Sequence, residues 1–134
     1  EVLIALGFAQ LQLKQPEWAL ANLTRASALK PQDPKTARLL GVALGVLEWR
    51  EAAMVQLKKA LELDGTDGEA AFNLAMLALT RSSELDFQAR REPAFRGALE
   101  HLASSMRKEG LDWYRKAVEN GVQEDPKLEE ALSR

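Results

Sequence analysis

The chain has 134 residues, 18 basic and 20 acidic side chains for a net charge of −2, 46% hydrophobic content and no cysteine. That length and hydrophobic share suffice for one domain or a short array. The near-neutral balance lacks the basic excess of a nucleic-acid binder, and the missing cysteine excludes disulfides, thiolate metal sites and cysteine nucleophiles. No apolar run approaches the ~20 residues of a membrane helix, so no membrane insertion is expected. The chain opens on Glu1 inside a helical pattern with no visible signal peptide. Glu1 therefore reads as a boundary or processing site with further sequence expected upstream. The compartment stays open between cytoplasm and periplasm.

The first helix is expected from Val2 to about Leu13, with Val2, Leu3, Ile4, Leu6, Phe8, Leu11 and Leu13 spread nearly all round it. Gln15-Pro16 breaks it, and Pro16 suits the first turn of a second helix running from about Glu17 to Lys30. Pro31 ends that helix, because the residue before a proline is pushed out of the helical region. Asp33-Pro34 caps and opens a third helix, Pro34 to Val46. A fourth covers roughly Arg50 to Asp64, with Gly65 as its stop. Thr66 and Glu69 have capping-box spacing ahead of a fifth helix that reaches about Thr80.

A shift of 34 residues superimposes this pattern on itself. Ala19 falls on Ala53, Leu23 on Leu57, Ala26 on Ala60 and Pro31 on Gly65, while Leu6-Gly7, Leu40-Gly41 and Leu74-Ala75 line up in the preceding helices. A fixed period means one supersecondary unit repeated. The period breaks after Arg81. It resumes with Phe95, Ala98, Leu102 and Ser105, and with Gly110 at the stop position, if about 11 residues are inserted within 82–93. The insert is expected to form a helical turn or to prolong the sixth helix. Two further helices are expected, from Leu111 to about Asn120 before Gly121, and from Asp125-Pro126 through Leu128, Ala131 and Leu132.

These residues resemble the tetratricopeptide repeat family. The match covers Leu6-Gly7, Ala19, Leu23, Ala26 and Pro31, then Leu40-Gly41, Ala53, Leu57 and Ala60, then Leu74-Ala75 with Phe95, Ala98 and Leu102. The resemblance implies an all-α, right-handed α-solenoid of helix–turn–helix units: 1–33, 34–67 and 68–110, the third with the insert, closed by C-terminal capping helices over 111–134. The departures are at the aromatic positions, which carry Leu3, Ala37 and Ala71 early in the first helices and Gln10, Leu44 and Ala78 late in them. The RNA-reading pentatricopeptide arrays share a similar period, but the acidic balance does not suit them.

In the tetratricopeptide family the first helices line a concave groove for a peptide or helix of a partner. The resemblance assigns to that groove Ile4, Phe8 and Leu11 from the first unit. Lys35, Arg38, Leu39 and Val42 come from the second, and Phe72, Asn73, Met76 and Leu79 from the third. Some members grip a terminal carboxylate with a clamp of Lys, Asn and Arg. The corresponding places carry Ile4, Phe8, Arg38, Val42, Asn73 and Met76, so that clamp is essentially missing. An apolar groove with Lys35 and Arg38 at its rim suits an amphipathic helix with apolar anchors and a carboxylate. The expected function is a non-catalytic protein-binding scaffold or adaptor. The alternatives are a structural subunit that self-associates through the same groove, and a groove filled by a segment of this chain.

No catalytic constellation stands out. His101 is the single histidine and has no nucleophile set beside it, no metal-ligand spacing is visible, and no glycine-rich phosphate loop occurs. Neither enzyme activity nor a cofactor is expected. Trp18 and Trp49, at the starts of second helices, and Trp113 in the tail are expected to pack turns and caps. Arg90, Arg91 and Arg96 form a small basic cluster expected in a solvated loop, where an insert offers a second contact.

Overall fold

The computed structural model describes residues 1–134 and is all helical. Its helices are α1 (Val2–Gln12), α2 (Pro16–Leu29), α3 (Pro34–Val46), α4 (Arg50–Leu63), α5 (Gly68–Arg91), α6 (Arg96–Glu119) and α7 (Pro126–Leu132). The chain divides into two compact units, Glu1–Ala70 and Ala71–Arg134.

The first unit is two helical hairpins. α1 packs on α2 and α3 on α4, with α2 against α3. The 34-residue period has a steric cause. A Cβ on Gly7 would lie 2.6 Å from Leu23 Cγ, and one on Gly41 would lie 2.7 Å from Leu57 Cγ. Each glycine therefore gives the opposing leucine the space in which it is buried. Ala19 and Ala26, and likewise Ala53 and Ala60, flank that leucine and are buried with it.

The hairpin turns repeat in equal detail. The amide of Gln15 donates to the carbonyl of Gln10, and that of Trp49 to the carbonyl of Leu44, with Lys14 (φ 58°) and Glu48 (φ 65°) left-handed between helix and turn. Such a closure normally takes glycine, because a side chain in this conformation costs roughly 1–2 kcal/mol. Glu48→Gly is therefore expected to raise stability by about 0.5–1 kcal/mol after the entropy that glycine loses on folding. Urea denaturation checks the sign; a loss would mean that the Glu48 side chain contributes more than its backbone costs.

The N-caps repeat as well. Asp33 accepts from the Thr36 amide and Asp67 from the Ala70 amide. The expected capping box of Thr66 with Glu69 does not form. Asp67, one residue nearer the helix, takes the cap, and Thr66 donates through both its amide and its hydroxyl to Asp64. Those two bonds, hydroxyl first, hold the Asp64 carboxyl below its ordinary range, with the Arg38 charge adding to them. Their stabilisation is present at neutral pH and is lost as pH falls through the folded-state value. Gly65 does not act as a left-handed stop: α4 ends on the extended backbone of Asp64 (φ −142°), as α2 ends on Lys30 (φ −134°).

The second unit departs furthest from expectation. The insert is helical but belongs neither to a separate turn nor to the sixth helix: it extends α5 to Arg91, and a 3-10 turn at Pro93–Phe95 reverses the chain into α6. α6 then runs unbroken past Gly110 to Glu119, so the segment from Leu111 to Asn120 is its second half. Gly110 is no stop. It is buried within α6, where a Cβ would lie 2.9 Å from Ala78 Cβ and 2.7 Å from Leu132 Cδ2.

The expected register of Phe95, Ala98, Leu102 and Ser105 is wrong, since all four are exposed. The buried set of α6 is Ala103, Gly110, Tyr114 and Ala117, and its last three members reproduce the spacing of Ala19, Leu23 and Ala26 and of Ala53, Leu57 and Ala60. Antiparallel geometry explains the error: residues added to the outgoing helix of a hairpin must be matched in the returning one, so the shift is about twice the insert. α7 follows the same logic. Asp125 caps it by accepting from the Leu128 amide, and Leu132 lies seven residues beyond Asp125, as Leu40 lies beyond Asp33 and Leu74 beyond Asp67. In sequence pattern α7 is another first helix. Leu128 and Leu132 form a cluster with Ala75 and Tyr114.

Candidate protein-binding surface

The first-unit residues expected in the groove divide by burial. Ile4 and Leu39 are core and present no surface to a partner. α1 is apolar on every side, so spacing alone could not separate its core positions from its open ones. Phe8 is 47% exposed, Leu11 and Val42 are half-buried, and Lys35 is exposed.

Arg38 does not wait at a rim for a carboxylate. Its Nη1 lies 3.4 Å from Asp67 Oδ1 and 2.5 Å from Glu69 Oε2, so it braces the turn between α4 and α5. Asp67 also caps α5, which ties the brace to the start of that helix. The Arg38 Nε is buried without a protein acceptor.

In the second unit, Phe72 and Leu79 pack against the cluster of Ala75, Tyr114, Leu128 and Leu132. The chain's own C-terminal residues thus cover part of the face assigned to the groove. Asn73 is half-buried, and Met76 is 42% exposed.

The same stripe continues beyond the expected residues. Thr80, Ser83 and Phe87 follow Met76 at helical spacing along α5. Sequence reasoning missed Ser83 and Phe87 because it ended the helix at Thr80; the run Met76, Leu79, Ser83, Phe87 was the available signal. Leu79, Thr80, Ser83, Glu84 and Phe87 line a shallow, open notch. The hydroxyls of Thr80 and Ser83 donate to the carbonyls of Met76 and Leu79. With those hydroxyls turned to their own helix, the notch is mostly apolar.

The remaining candidates fall outside this surface. His101 is exposed on α6, and no three acidic or histidine side chains are grouped to hold a metal ion. Trp18 and Trp49 are exposed rather than packed against turns. Trp113 is half-buried, with its indole N–H toward Glu109 at 3.5 Å and the Lys116 ammonium 5.8 Å from its ring centroid. Arg90 and Arg91 end α5 rather than occupying a loop, and Arg96 Nε donates to the Ala89 carbonyl at 3.5 Å. No helix is long and apolar enough to cross a membrane.

No family model matches the chain, and no curated protein matches its sequence. Among solved structures it is similar to MamA, a protein containing tetratricopeptide repeats. The TM-score is 0.58 at 21% identity, over 88% of this chain and 75% of that one. A likeness at that identity is a likeness of fold. With the repeated glycine–leucine contacts, turns and caps, it gives the chain a tetratricopeptide-like helical-repeat fold of the all-α solenoid class.

Proposed function

We propose that the protein is a non-catalytic interaction module that binds a segment of another protein through apolar faces of its first helices. The observation that carries this reading is that Phe8 and Met76, two large apolar side chains, stay 47% and 42% exposed. Large apolar side chains left in water on a repeat scaffold are a liability unless a partner removes them, at roughly 25 cal/mol per Å2. Burial refines the expected groove set. Ile4, Leu39 and Arg38 serve the fold and Phe72 and Leu79 are packed inside the second unit, which leaves Phe8, Leu11, Lys35 and Val42 for contact in the first unit and Asn73 and Met76 in the second. Tetratricopeptide-like folds usually present such faces to proteins, which supports the same reading.

The test is selection of binding peptides from a display library, followed by affinity measurement with Phe8→Glu and Met76→Glu. A binder of the first unit is expected to weaken about tenfold or more with Phe8→Glu, and a binder of the second with Met76→Glu, each change shifting stability by no more than ~0.5 kcal/mol, as exposed sites do. A wild-type protein that selects no binder, or a binder indifferent to both changes, overturns the proposal. A mass that rises with concentration in light scattering and falls in the variants would show that the surface joins copies of this chain instead.

A further inference from the structure

The extension of α5 carries a surface of its own. Residues at i, i+3, i+4 and i+7 of one helix frame the hole into which a facing helix inserts a knob. The notch has that set in Thr80, Ser83, Glu84 and Phe87, with Leu79 as an added wall. Ser83 is small between Leu79 and Phe87, which leaves room for a large side chain. Glu84 at the notch edge is paired with Arg81 at 3.6 Å, so its charge has a partner within the helix.

One turn further along, Phe87, Gln88, Arg91 and Glu92 line a second depression. Its character differs. The Arg91 guanidinium lies 5.6 Å from the Phe87 ring centroid, and Gln88 donates to Glu92 at 3.1 Å. Arg91 and Glu92 balance within it, and the neighbouring Arg90 leaves the end of the helix net positive. An apolar hole followed, about 10 Å along one helix at ~1.5 Å per residue, by a positively charged helix end is a template for one kind of occupant.

We propose that the extended part of α5 receives an acidic amphipathic helix from another protein. A leucine or phenylalanine of that helix seats between Leu79 and Phe87 over Ser83, and a carboxylate one or two turns away meets Arg90 and Arg91. The proposal rests on the protein-binding reading above and names its occupant. Charge selects the occupant: a basic helix would meet repulsion where the acidic one finds attraction.

The probe is a display library of 21-residue amphipathic helices with randomised Leu, Ile and Phe on one face and randomised Glu, Lys and Gln flanking it. The wild type is expected to enrich helices with glutamate flanks. Ser83→Phe, which fills the hole, should weaken the selected helices about tenfold or more. Arg91→Glu should weaken them and improve binding of their Lys-flanked counterparts, a change of preference that misfolding cannot produce. Enrichment of Lys flanks, or no enrichment, overturns the proposal. Binders lost in Met76→Glu or Phe8→Glu but retained in Ser83→Phe and Arg91→Glu would leave the protein-binding reading standing and sink this one. A concentration-dependent doubling of mass that Ser83→Phe abolishes would make the occupant a second copy, which also overturns it.

Discussion

Tyr114→Ala is expected to cost about 3–5 kcal/mol, the range for truncating a large buried side chain to alanine. Tyr114 is 2% exposed and takes the place that Leu23 and Leu57 hold in the first unit. Its ring belongs to the cluster with Ala75, Leu128 and Leu132, and its hydroxyl accepts from the Asp125 amide at 2.9 Å. Truncation therefore removes both the packing under α7 and a bond at its cap. Tyr114→Phe separates the two contributions, keeping the ring and losing about 1 kcal/mol for the bond. Leu102→Ala is the decisive comparison. The sequence register places Leu102 where Leu23 and Leu57 stand, but the side chain is 46% exposed, so its truncation should cost no more than ~0.5 kcal/mol. Urea denaturation of the three variants, with amide exchange across Pro126–Leu132, measures both effects. A larger loss at Leu102 than at Tyr114 would restore the register that the structure replaces.

That comparison marks where the sequence stopped being legible. The first four helices could be read because each pairing, Gly7 with Leu23 and Gly41 with Leu57, recurs at one fixed offset. The third pairing was hidden by the antiparallel doubling of an insert and by a change of residue type, Gly110 and Tyr114 standing for alanine and leucine. Gly110 then passed for a helix stop, because a glycine after an apolar run ends helices more often than it packs inside them, and only the nearness of Ala78 reveals its use. At the surface, spacing fixed which residues share a face but not how deep each one lies. Val2, Ile4 and Phe8 are equally apolar, yet only Ile4 is buried. The Arg38 brace was unreadable for a different reason, since its acceptors Asp67 and Glu69 lie some thirty residues away.

The glycine–leucine contact itself predicts a reversal of sign. Leu57 is 1% exposed, and Leu57→Ala is expected to cost about 2–5 kcal/mol through lost burial and the cavity it leaves. Gly41→Ala in the wild-type background should also destabilise. Its Cβ would lie 2.7 Å from Leu57 Cγ and 2.9 Å from Leu57 Cδ2, where the obstruction is a packed branch point and not a flexible tip. Overpacking of about 1–3 kcal/mol outweighs the roughly 1 kcal/mol that alanine gains over glycine within a helix. In the Leu57→Ala background the branch point is gone. The nearest remaining atom, the Ala53 carbonyl oxygen at 3.2 Å, is tight but tolerable, and the new methyl fills part of the cavity. Gly41→Ala should then become neutral or stabilising, giving a coupling of about 1–3 kcal/mol between residues in direct contact. Urea denaturation of the two single variants and the double variant closes the cycle. Additive losses would mean that Gly41 is small for a reason unconnected with Leu57, and the steric origin of the 34-residue period would have to be sought elsewhere.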